Sequence, residues 1–356
     1  MTNLAEMLLT WYDGAKRDLP WRRDSDPYKI WVSEIMLQQT RVEAVRPYYE
    51  RWLERFPRLG DLAAASDDEV IGYWQGLGYY SRARRLLQGV REVQATYGGR
   101  VPDNRPAIMA VPGIGDYTAG AILSIAYDRP EPAVDGNVLR IFSRLHCLED
   151  DIATSAARRK VEALVVQSMP DRRCGDFNQA LMDLGATICL PKTPRCGDCP
   201  LHSRCCAHSR GVQQEFPVKR KASAPRQIQL AAAVVEDGGR YLLRRRPDQG
   251  LLARMWEFPA VEVGVAEDPR PLLEAAVLTG TGQTVRTGEQ LLELDHVFSH
   301  RRWHILFYQC SLLDNAPLTG SDTCWLSPAD WAGISFAGPH RRMAGQLAGD
   351  GRQITP

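Results

Sequence analysis

No run of apolar residues in this chain approaches the ~20 that a membrane-spanning helix requires. The first twenty residues are amphipathic and lack the basic start and uninterrupted apolar core of a signal peptide. We therefore expect no membrane association and a location in the cytoplasm or nucleoid. Neither sign of charge is in excess, because 44 Lys and Arg oppose 43 Asp and Glu. The net charge of +1 neither supports nor excludes a nucleic-acid partner, since acidic residues elsewhere can offset a basic face.

Cysteine is absent from the sequence before Cys147, and five of the nine cysteines then fall between Cys189 and Cys206. In a reducing compartment these nine residues are not expected to form a disulfide framework. Their clustering indicates a metal site instead. The cysteines outside the cluster are interpreted as buried small apolar residues: Cys147, Cys174, Cys310 and Cys324.

The spacing within the cluster distinguishes between metals. Six, two and five residues separate Cys189, Cys196, Cys199 and Cys205. Zinc ligands usually come as two short pairs a dozen or more residues apart, whereas four thiolates within seventeen residues suit a [4Fe–4S] cluster. Zinc, or no metal, remain the alternatives. Cys206 is a possible substitute for its neighbour as the fourth ligand, although the spacing favours Cys205.

The 356 residues suggest two domains. Apolar residues recur at helical spacing through residues 1–208, for example over Ile30–Val42, which predicts a mostly α domain. Residues 209–227 are polar and basic with two prolines, and predict a linker. Residues 228–345 contain β-strand patterns, including a hairpin that turns at Gly238–Gly239, and predict an α+β domain. The glycine-rich residues 346–356 are predicted to be a loose tail.

Residues 111–115, Val-Pro-Gly-Ile-Gly, lie between two predicted helices. Gly113 and Gly115 permit a tight turn whose backbone N–H groups point outward, just before a helix that begins near Tyr117. Such a turn can clamp a phosphate without reading sequence. An ordinary connection between helices is the alternative.

Two carboxylates are candidates for acid–base chemistry. Asp135 precedes a predicted helix, where an Asp is often only the N-cap, although a helix N-terminus also favours an ionised carboxylate. Glu34 is the lone acid in an apolar helical stretch; it either faces solvent or, if buried, has a raised pKa. One acid kept protonated and one kept ionised would suit hydrolysis of a glycosidic bond.

Four segments, WVSEIMLQQT, GLGYYSRARRL, VPGIGDYTAG and AVDGNV, occur in the order and at the intervals of MutY-type adenine glycosylases. The four-cysteine pattern likewise resembles the endonuclease III, or helix–hairpin–helix, superfamily. The resemblance covers nearly the whole chain. It implies a helical domain of two lobes, with the helix–hairpin–helix near residues 105–125 and an iron–sulfur loop at 189–205. The N-terminal helix returns to the cluster lobe.

The resemblance also implies a monomeric enzyme that removes adenine paired with 8-oxoguanine, or more weakly with guanine, from duplex DNA. Glu34 would protonate adenine at N7, and Asp135 would stabilise the sugar cation or form a transient bond, with Asn137 and Tyr117 holding it in place. Enzymes of the superfamily that also cut the strand carry a lysine where this chain has Tyr117. Because tyrosine cannot form an imine, we expect base removal without strand cleavage.

The same resemblance assigns residues to the DNA. Gln39, Thr40, Leu77 and Tyr79 would probe the duplex at the lesion, although Tyr79 could instead pack in the core. Further candidates are Arg22 and Gln179 near the adenine pocket, Gly113 and Gly115 at phosphates, and Lys192 and Arg195 in the cysteine loop. Arg82, Arg84 and Arg85 form either a phosphate-binding face or a solvated one.

The second domain resembles the Nudix-like C-terminal domain of MutY enzymes. It lacks the acidic Nudix helix that binds Mg²⁺, because the matching segment has one glutamate, Glu274. We therefore expect binding without hydrolysis. Phe298, Ser299 and His300 match the loop that recognises 8-oxoguanine, although a surface turn would also explain them.

Two other functions remain open. A thymine-mismatch glycosylase can use the same scaffold and also lack the lysine, but the Gln38–Gln39 pair and the second domain argue against it. A non-catalytic binder of damaged DNA would not need Glu34, Asp135 and Tyr117 together.

Overall fold

The protein is described here from a computed structural model that covers residues 3–219, 226–264, 266–298, 301–314, 316–319 and 322–349. Contacts within the chain divide it into two units, Met1–Lys221 and Ala222–Pro356. Within these described residues, no helix combines the length and apolar character needed to cross a bilayer.

The first unit is helical. Its α-helices are α1 (Leu4–Ala15), α2 (Pro27–Leu37), α3 (Val42–Arg55), α4 (Leu59–Ala63), α5 (Asp67–Trp74), α6 (Ser81–Thr96), α7 (Arg105–Met109), α8 (Asp116–Tyr127), α9 (Gly136–His146), α10 (Ser155–Ser168), α11 (Cys174–Thr187) and α12 (Cys206–Arg210). Several begin at a side chain that accepts a hydrogen bond from the first turn, such as Asp26 and Asp135. The helix predicted over Ile30–Val42 ends early, at Leu37, because Gln39 has a left-handed backbone that no α-helix can continue.

The helices of this unit form two lobes. The first surrounds α2 and is filled by large aromatic residues, among them Trp31, Trp52 and Trp74, none of which is exposed. The second is built from α9, α10 and α11, and α1 packs against α11 although it lies at the other end of the unit in sequence. The prediction of a two-lobed helical domain to which the N-terminal helix returns is confirmed.

The segment predicted as a linker differs from the expectation. Residues up to 219 lie against the helical unit: the buried Arg144 donates hydrogen bonds to the carbonyls of Gln213 and Phe216, at 2.9 and 3.1 Å. The Ile152 N–H donates to the Val218 carbonyl at 3.1 Å. Phe216 also buries its ring. An apolar side chain and a buried cation that needs acceptors therefore hold part of a segment whose composition is typical of a linker.

The second unit is α+β, as predicted. It contains β1 (Arg226–Asp237), β2 (Arg240–Arg245), β3 (Trp256–Glu257), β4 (Ala260–Val263), α13 (Pro269–Thr281), β5 (Val285–Val297), β6 (Arg301–Leu312), β7 (Thr323–Leu326) and α14 (Gly338–Leu347). The sheet has the order β3-β2-β1-β6-β5, with β4 also paired to β1 and β7 to β2; β1 and β6 run parallel. Alternate residues of β1 enter two cores, one shared with α13 and the other with α14. Gly238 and Gly239 form the predicted β1–β2 turn, both with positive φ.

Candidate active site

Helix α2 places Glu34 inside the first lobe. Asp26 caps the helix by accepting a hydrogen bond from the Tyr28 N–H at 2.8 Å, and Pro27 occupies its first position. Glu34 is 5% exposed. Burial, reinforced by the negative charge of Asp135, raises the pKa of Glu34 to about 7, against a lowering by Tyr117 and Arg22. The carboxyl is therefore available as a proton donor near neutral pH, and the solvent-facing alternative for Glu34 is wrong.

Asp135 lies at the N-terminus of α9. One carboxylate oxygen accepts a hydrogen bond from the Val138 N–H and the other from the Asn137 side-chain amide, each at 2.8 Å. Asp135 is thus the helix cap and lines the same cavity as Glu34. Arg140 donates to the Asn137 side-chain oxygen at 2.8 Å and so fixes which end of that amide faces Asp135.

Tyr117 lies in the first turn of α8, and its hydroxyl donates a 2.6 Å hydrogen bond to Glu34 Oε2. Burial and the charges of Glu34 and Asp135 hold the pKa of Tyr117 well above its ordinary value. The residue is therefore a neutral hydroxyl donor. A lysine amine, which could attack a sugar carbon, is absent at this position.

A cavity of about 200 Å³ joins these groups between the two lobes. Seven predicted site residues line it: Arg22, Glu34, Thr40, Tyr117, Asp135, Asn137 and Gln179. Arg22 is held by hydrogen bonds of 2.7 and 2.9 Å to the carboxylate of Asp183, which is 1% exposed and also binds Arg17. Asp183 was not among the site residues expected from the sequence. Its position one helical turn after Gln179 on α11 is the signal that could have found it.

The glycine turn lies between α7 and α8, within the predicted residues 105–125. Gly113 has φ 83°, and a Cβ there would lie 2.9 Å from the Cβ of Arg85, so both backbone conformation and packing require glycine. Gly115 is the N-cap of α8 and has an extended backbone; a Cβ there would meet no atom within 4 Å. The space directly beside Gly115 is therefore open, and the phosphate role remains a prediction.

The residues predicted to probe DNA differ in exposure. Tyr79 is 59% exposed, so the alternative that it packs in the core is wrong. Gln39 is also exposed and Thr40 is half-buried, whereas Leu77 is only 8% exposed and offers little surface to a duplex. Arg82 does not belong to an outward basic face, because its guanidinium donates to backbone carbonyls, including that of Gln38 at 2.6 Å.

The four predicted metal ligands lie around one small cavity. Cys189, Cys196, Cys199 and Cys205 are half-buried free thiols that line one cavity of about 30 Å³. Burial and the neighbouring sulfurs raise the pKa of Cys199 to about 11, while Arg144 lies 3.3 Å from the Cys189 sulfur. In the described part of the chain, no three His, Cys, Asp or Glu side chains are arranged to share one metal ion.

The interpretation of Cys147 is wrong: it forms a disulfide with Cys206. Cys147 ends α9 in a left-handed conformation, and α12 begins at Cys206, so the two helix ends meet with their Cα atoms 5.7 Å apart. Sequence spacing gave no sign of this pairing, since 59 positions separate the two residues. The other cysteines outside the cluster are free: Cys174 and Cys310 are buried, as expected, and Cys324 is half-buried.

In the second unit, Glu274 accepts a hydrogen bond from the Thr287 N–H at 2.7 Å and so links α13 to β5. Phe298 packs edge-on against His296 and Trp303, with ring centroids 4.5 and 4.9 Å apart. The predicted recognition residues Ser299 and His300 lie outside the described residues.

Comparison with known proteins agrees with this geometry. Residues 32–167 match the HhH-GPD superfamily of base excision DNA repair proteins, and residues 230–346 match the NUDIX domain. Fold and site therefore define a helix–hairpin–helix protein of base excision repair with a Nudix-like domain. Adenine DNA glycosylase from Mus musculus is 39% identical over 89% of this chain and 72% of its own length. The corresponding values are 37%, 88% and 67% for the Homo sapiens protein, and 31%, 91% and 85% for that of Schizosaccharomyces pombe. The chain belongs to the adenine DNA glycosylase family.

Solved structures resemble the helical unit. A thermostable thymine-DNA glycosylase is 30% identical, with a TM-score of 0.52, and the match covers 58% of this chain and 95% of that one. Endonuclease III in a trapped covalent complex with DNA is 23% identical with a TM-score of 0.50 and the same coverage, which shows a shared fold.

Proposed function

We propose that this protein acts in base excision repair as a monomer that hydrolyses the N-glycosidic bond of adenine paired with 8-oxoguanine, and more weakly with guanine, in cytoplasmic duplex DNA. The observation that carries the proposal is the buried Glu34, with its pKa at about 7, in one cavity with Asp135. Hydrolysis of the bond between a purine and its sugar needs one of these carboxyl groups protonated and the other ionised. Membership of the adenine DNA glycosylase family supports adenine as the base.

The two carboxyl groups have different roles in the proposed reaction. Adenine leaves the base stack to enter the cavity, and Glu34 gives a proton to N7, so that the electron pair of the C1′–N9 bond can pass to a neutral base. The sugar becomes an oxocarbenium ion, which the Asp135 carboxylate stabilises. Water then adds to C1′ and releases a proton, which leaves an abasic site. Tyr117 and Asn137 keep the two carboxyl groups in place.

Because Tyr117 stands where a lysine would form an imine, the strand remains intact after the base has left. The proposed product is therefore an abasic site that breaks only in alkali.

A [4Fe–4S] cluster fits the four cysteines better than a zinc ion. A single zinc needs its ligands gathered around one atom, whereas each thiolate of a cubic cluster binds a different iron. The half-buried sulfurs that surround one small cavity suit the second arrangement. When bound, the cluster supplies structural order to the loop 189–205 rather than chemistry. That loop also carries Lys192 and Arg195, and Arg195 is already paired with Asp198 at 2.6 Å.

For the opposite base, we propose that Phe298, Ser299 and His300 contact 8-oxoguanine. A serine hydroxyl and nearby backbone can bond N7–H and O8, the groups that separate this base from guanine. A Ser299→Ala and His300→Ala double variant should lose its preference for 8-oxoguanine over guanine. An unchanged preference would remove these residues from recognition.

The test of the proposed function is a set of end-labelled duplexes that differ in one central pair: A:8-oxoguanine, A:guanine, T:guanine or C:8-oxoguanine. Each is incubated with the full chain and then treated, or not, with hot alkali. Cleavage at adenine only after alkali supports the proposal, and cleavage without alkali contradicts the assignment of Tyr117. Cleavage confined to the T:guanine duplex would establish a thymine glycosylase, the alternative to which the 30% identical thymine-DNA glycosylase points. Binding without any cleavage would mean a damage-binding protein.

A further inference from the structure

Two loops beside the cavity hold unusual backbone conformations. The Gln39 loop, residues 38–41, joins α2 to α3, and the Tyr79 loop, residues 75–80, joins α5 to α6. Gln39 has φ 56° and Tyr79 has φ 49°, both in the left-handed region, although neither is glycine. Such conformations are unfavourable for a residue with a Cβ and persist only where surrounding contacts enforce them. Both side chains are exposed.

The guanidinium of Arg82 lies between these loops. Arg82 belongs to the first turn of α6, directly after the Tyr79 loop. Its nitrogens donate hydrogen bonds of 2.6–3.4 Å to the carbonyls of Ile35, Met36, Gln38, Leu77 and Gly78 and to the hydroxyl of Thr40.

We propose that Arg82 is a positioning residue that holds the Gln39 loop and the Tyr79 loop in the conformation that engages the mispair; this inference rests on the proposed function. The carbonyls of Gln38 and Gly78 belong to the peptide units immediately before Gln39 and Tyr79. Bonds to Arg82 therefore fix the two peptide units from which the left-handed residues start. The same cation thus constrains both exposed side chains.

Arg82 also connects the loops to the helix that carries Glu34. The carbonyls of Ile35 and Met36 lie in the last turn of α2, where carbonyls have no helical partner and a cation is favourable. A displacement of either loop would therefore change the hydrogen bonds that Arg82 donates to the end of α2, which begin one residue after Glu34.

An arginine suits this position and a lysine does not. Within the planar guanidinium, Nη1 donates to the end of α2 and to the Gln39 loop, and Nη2 donates to both loops. An ammonium is a single point with three donors and cannot reproduce this fixed spacing. The guanidinium also lies over two aromatic rings, 5.5 Å from the centroid of Trp74 and 5.3 Å from that of Tyr79. Burial lowers the pKa of Arg82 to about 10, so the group remains a cation at neutral pH. Its Nη1 and Nη2 donors bond within the protein, and its Nε, which has no partner among the described residues, is buried; both features argue against a phosphate contact.

The test compares Arg82→Lys with Arg91→Lys in the full chain. Arg91 is a matched control because it lies on the same helix and donates to the carbonyls of Ala63 and Ala65, away from both loops. Hydrogen exchange without DNA should be faster in residues 38–41 and 75–80 of Arg82→Lys and unchanged there in Arg91→Lys. Unchanged exchange in Arg82→Lys would overturn the proposal whatever the enzyme's substrate.

With DNA, Arg82→Lys should lose about tenfold in single-turnover adenine release and in its preference for the A:8-oxoguanine duplex over undamaged duplex. Its affinity for undamaged duplex should stay within about twofold of wild type. An equal loss on both duplexes, with a shallower salt dependence, would mean a phosphate contact. A lower unfolding temperature with full preference would mean a structural role only. The wild type is assayed first: no adenine release there refutes the proposed function, whereas an active wild type with an unaffected variant refutes only the role of Arg82.

Discussion

The hydrogen bond between Tyr117 and Glu34 affects the pKa of the carboxyl group that we propose as the proton donor. The phenol donates to the ionised carboxylate at 2.6 Å and so lowers the pKa of Glu34, against the larger effect of burial. Replacing Tyr117 by Phe keeps the ring and the burial but removes this donor. The pKa of Glu34 should therefore rise further above 7, and its protonated form should persist to higher pH.

The size of the shift follows from the bond. A hydrogen bond to a charged group contributes about 1.5–3 kcal/mol, and one pKa unit corresponds to about 1.4 kcal/mol. Tyr117→Phe should therefore move the alkaline limb of the single-turnover rate upward by about one to two pH units. With a shift of one unit, the ratio of variant to wild-type rate should rise about tenfold between pH 6 and pH 9. This ratio is informative even if the variant is slower throughout.

The assay is adenine release from an A:8-oxoguanine duplex under enzyme excess at each pH. Tyr127→Phe is the matched control, because Tyr127 lies on the same helix and donates to the Val101 carbonyl at 2.6 Å instead of to Glu34. Its alkaline limb should coincide with that of wild type. A Tyr117→Phe limb that stays in place or moves downward would refute the assignment of Glu34 as the titrating acid.

Three further outcomes are expected. Burial raises the pKa of Glu34 from 4.5 to about 7, so the stability that its protonated form contributes is present below about pH 4.5 and is lost as the pH rises through about 7. The unfolding free energy of Glu34→Gln, measured by urea titration, should therefore gain about 3 kcal/mol relative to wild type between pH 5 and pH 9. The absence of this gain would contradict the burial of Glu34. Borohydride should trap no covalent adduct between the protein and the DNA, because Tyr117 cannot form an imine with the sugar. Efficient trapping would show that a lysine elsewhere in the protein forms that imine. The disulfide between Cys147 and Cys206 spans 59 positions and should contribute about 4 kcal/mol to the unfolding free energy. A thiol reductant should therefore lower the unfolding temperature of wild type but not that of Cys147→Ser. An equal response of the two proteins would mean that the bond does not form.

The sequence predicted local features of the backbone, such as turns and helix caps, well. The turn at Gly238–Gly239, the positive φ of Gly113 and the N-cap at Asp135 all depend on a few neighbouring residues, whose conformational preferences are strong. The pairing of Glu34 with Asp135 in one cavity was reached through resemblance to a family, because 100 intervening residues carry no local signal of that contact.

Contacts between distant segments account for what was missed. The disulfide of Cys147, the partnership of Asp183 with Arg22 and the inward direction of Arg82 all depend on how helices pack. The basic run after GLGYY has the composition of an exposed surface, yet one of its arginines, Arg82, is half-buried and donates to helix-end carbonyls that have no helical partner. Charge patterns alone do not distinguish these two environments.

A single substitution tests whether Glu34 is the proton donor for adenine release. Wild type and Glu34→Gln are compared on the A:8-oxoguanine duplex for affinity and for single-turnover base release. Glutamine keeps the shape of the side chain and carries no acidic proton. We expect Glu34→Gln to bind the duplex with an affinity within about threefold of wild type and to release no detectable adenine. Release at the wild-type rate would contradict the assignment of Glu34.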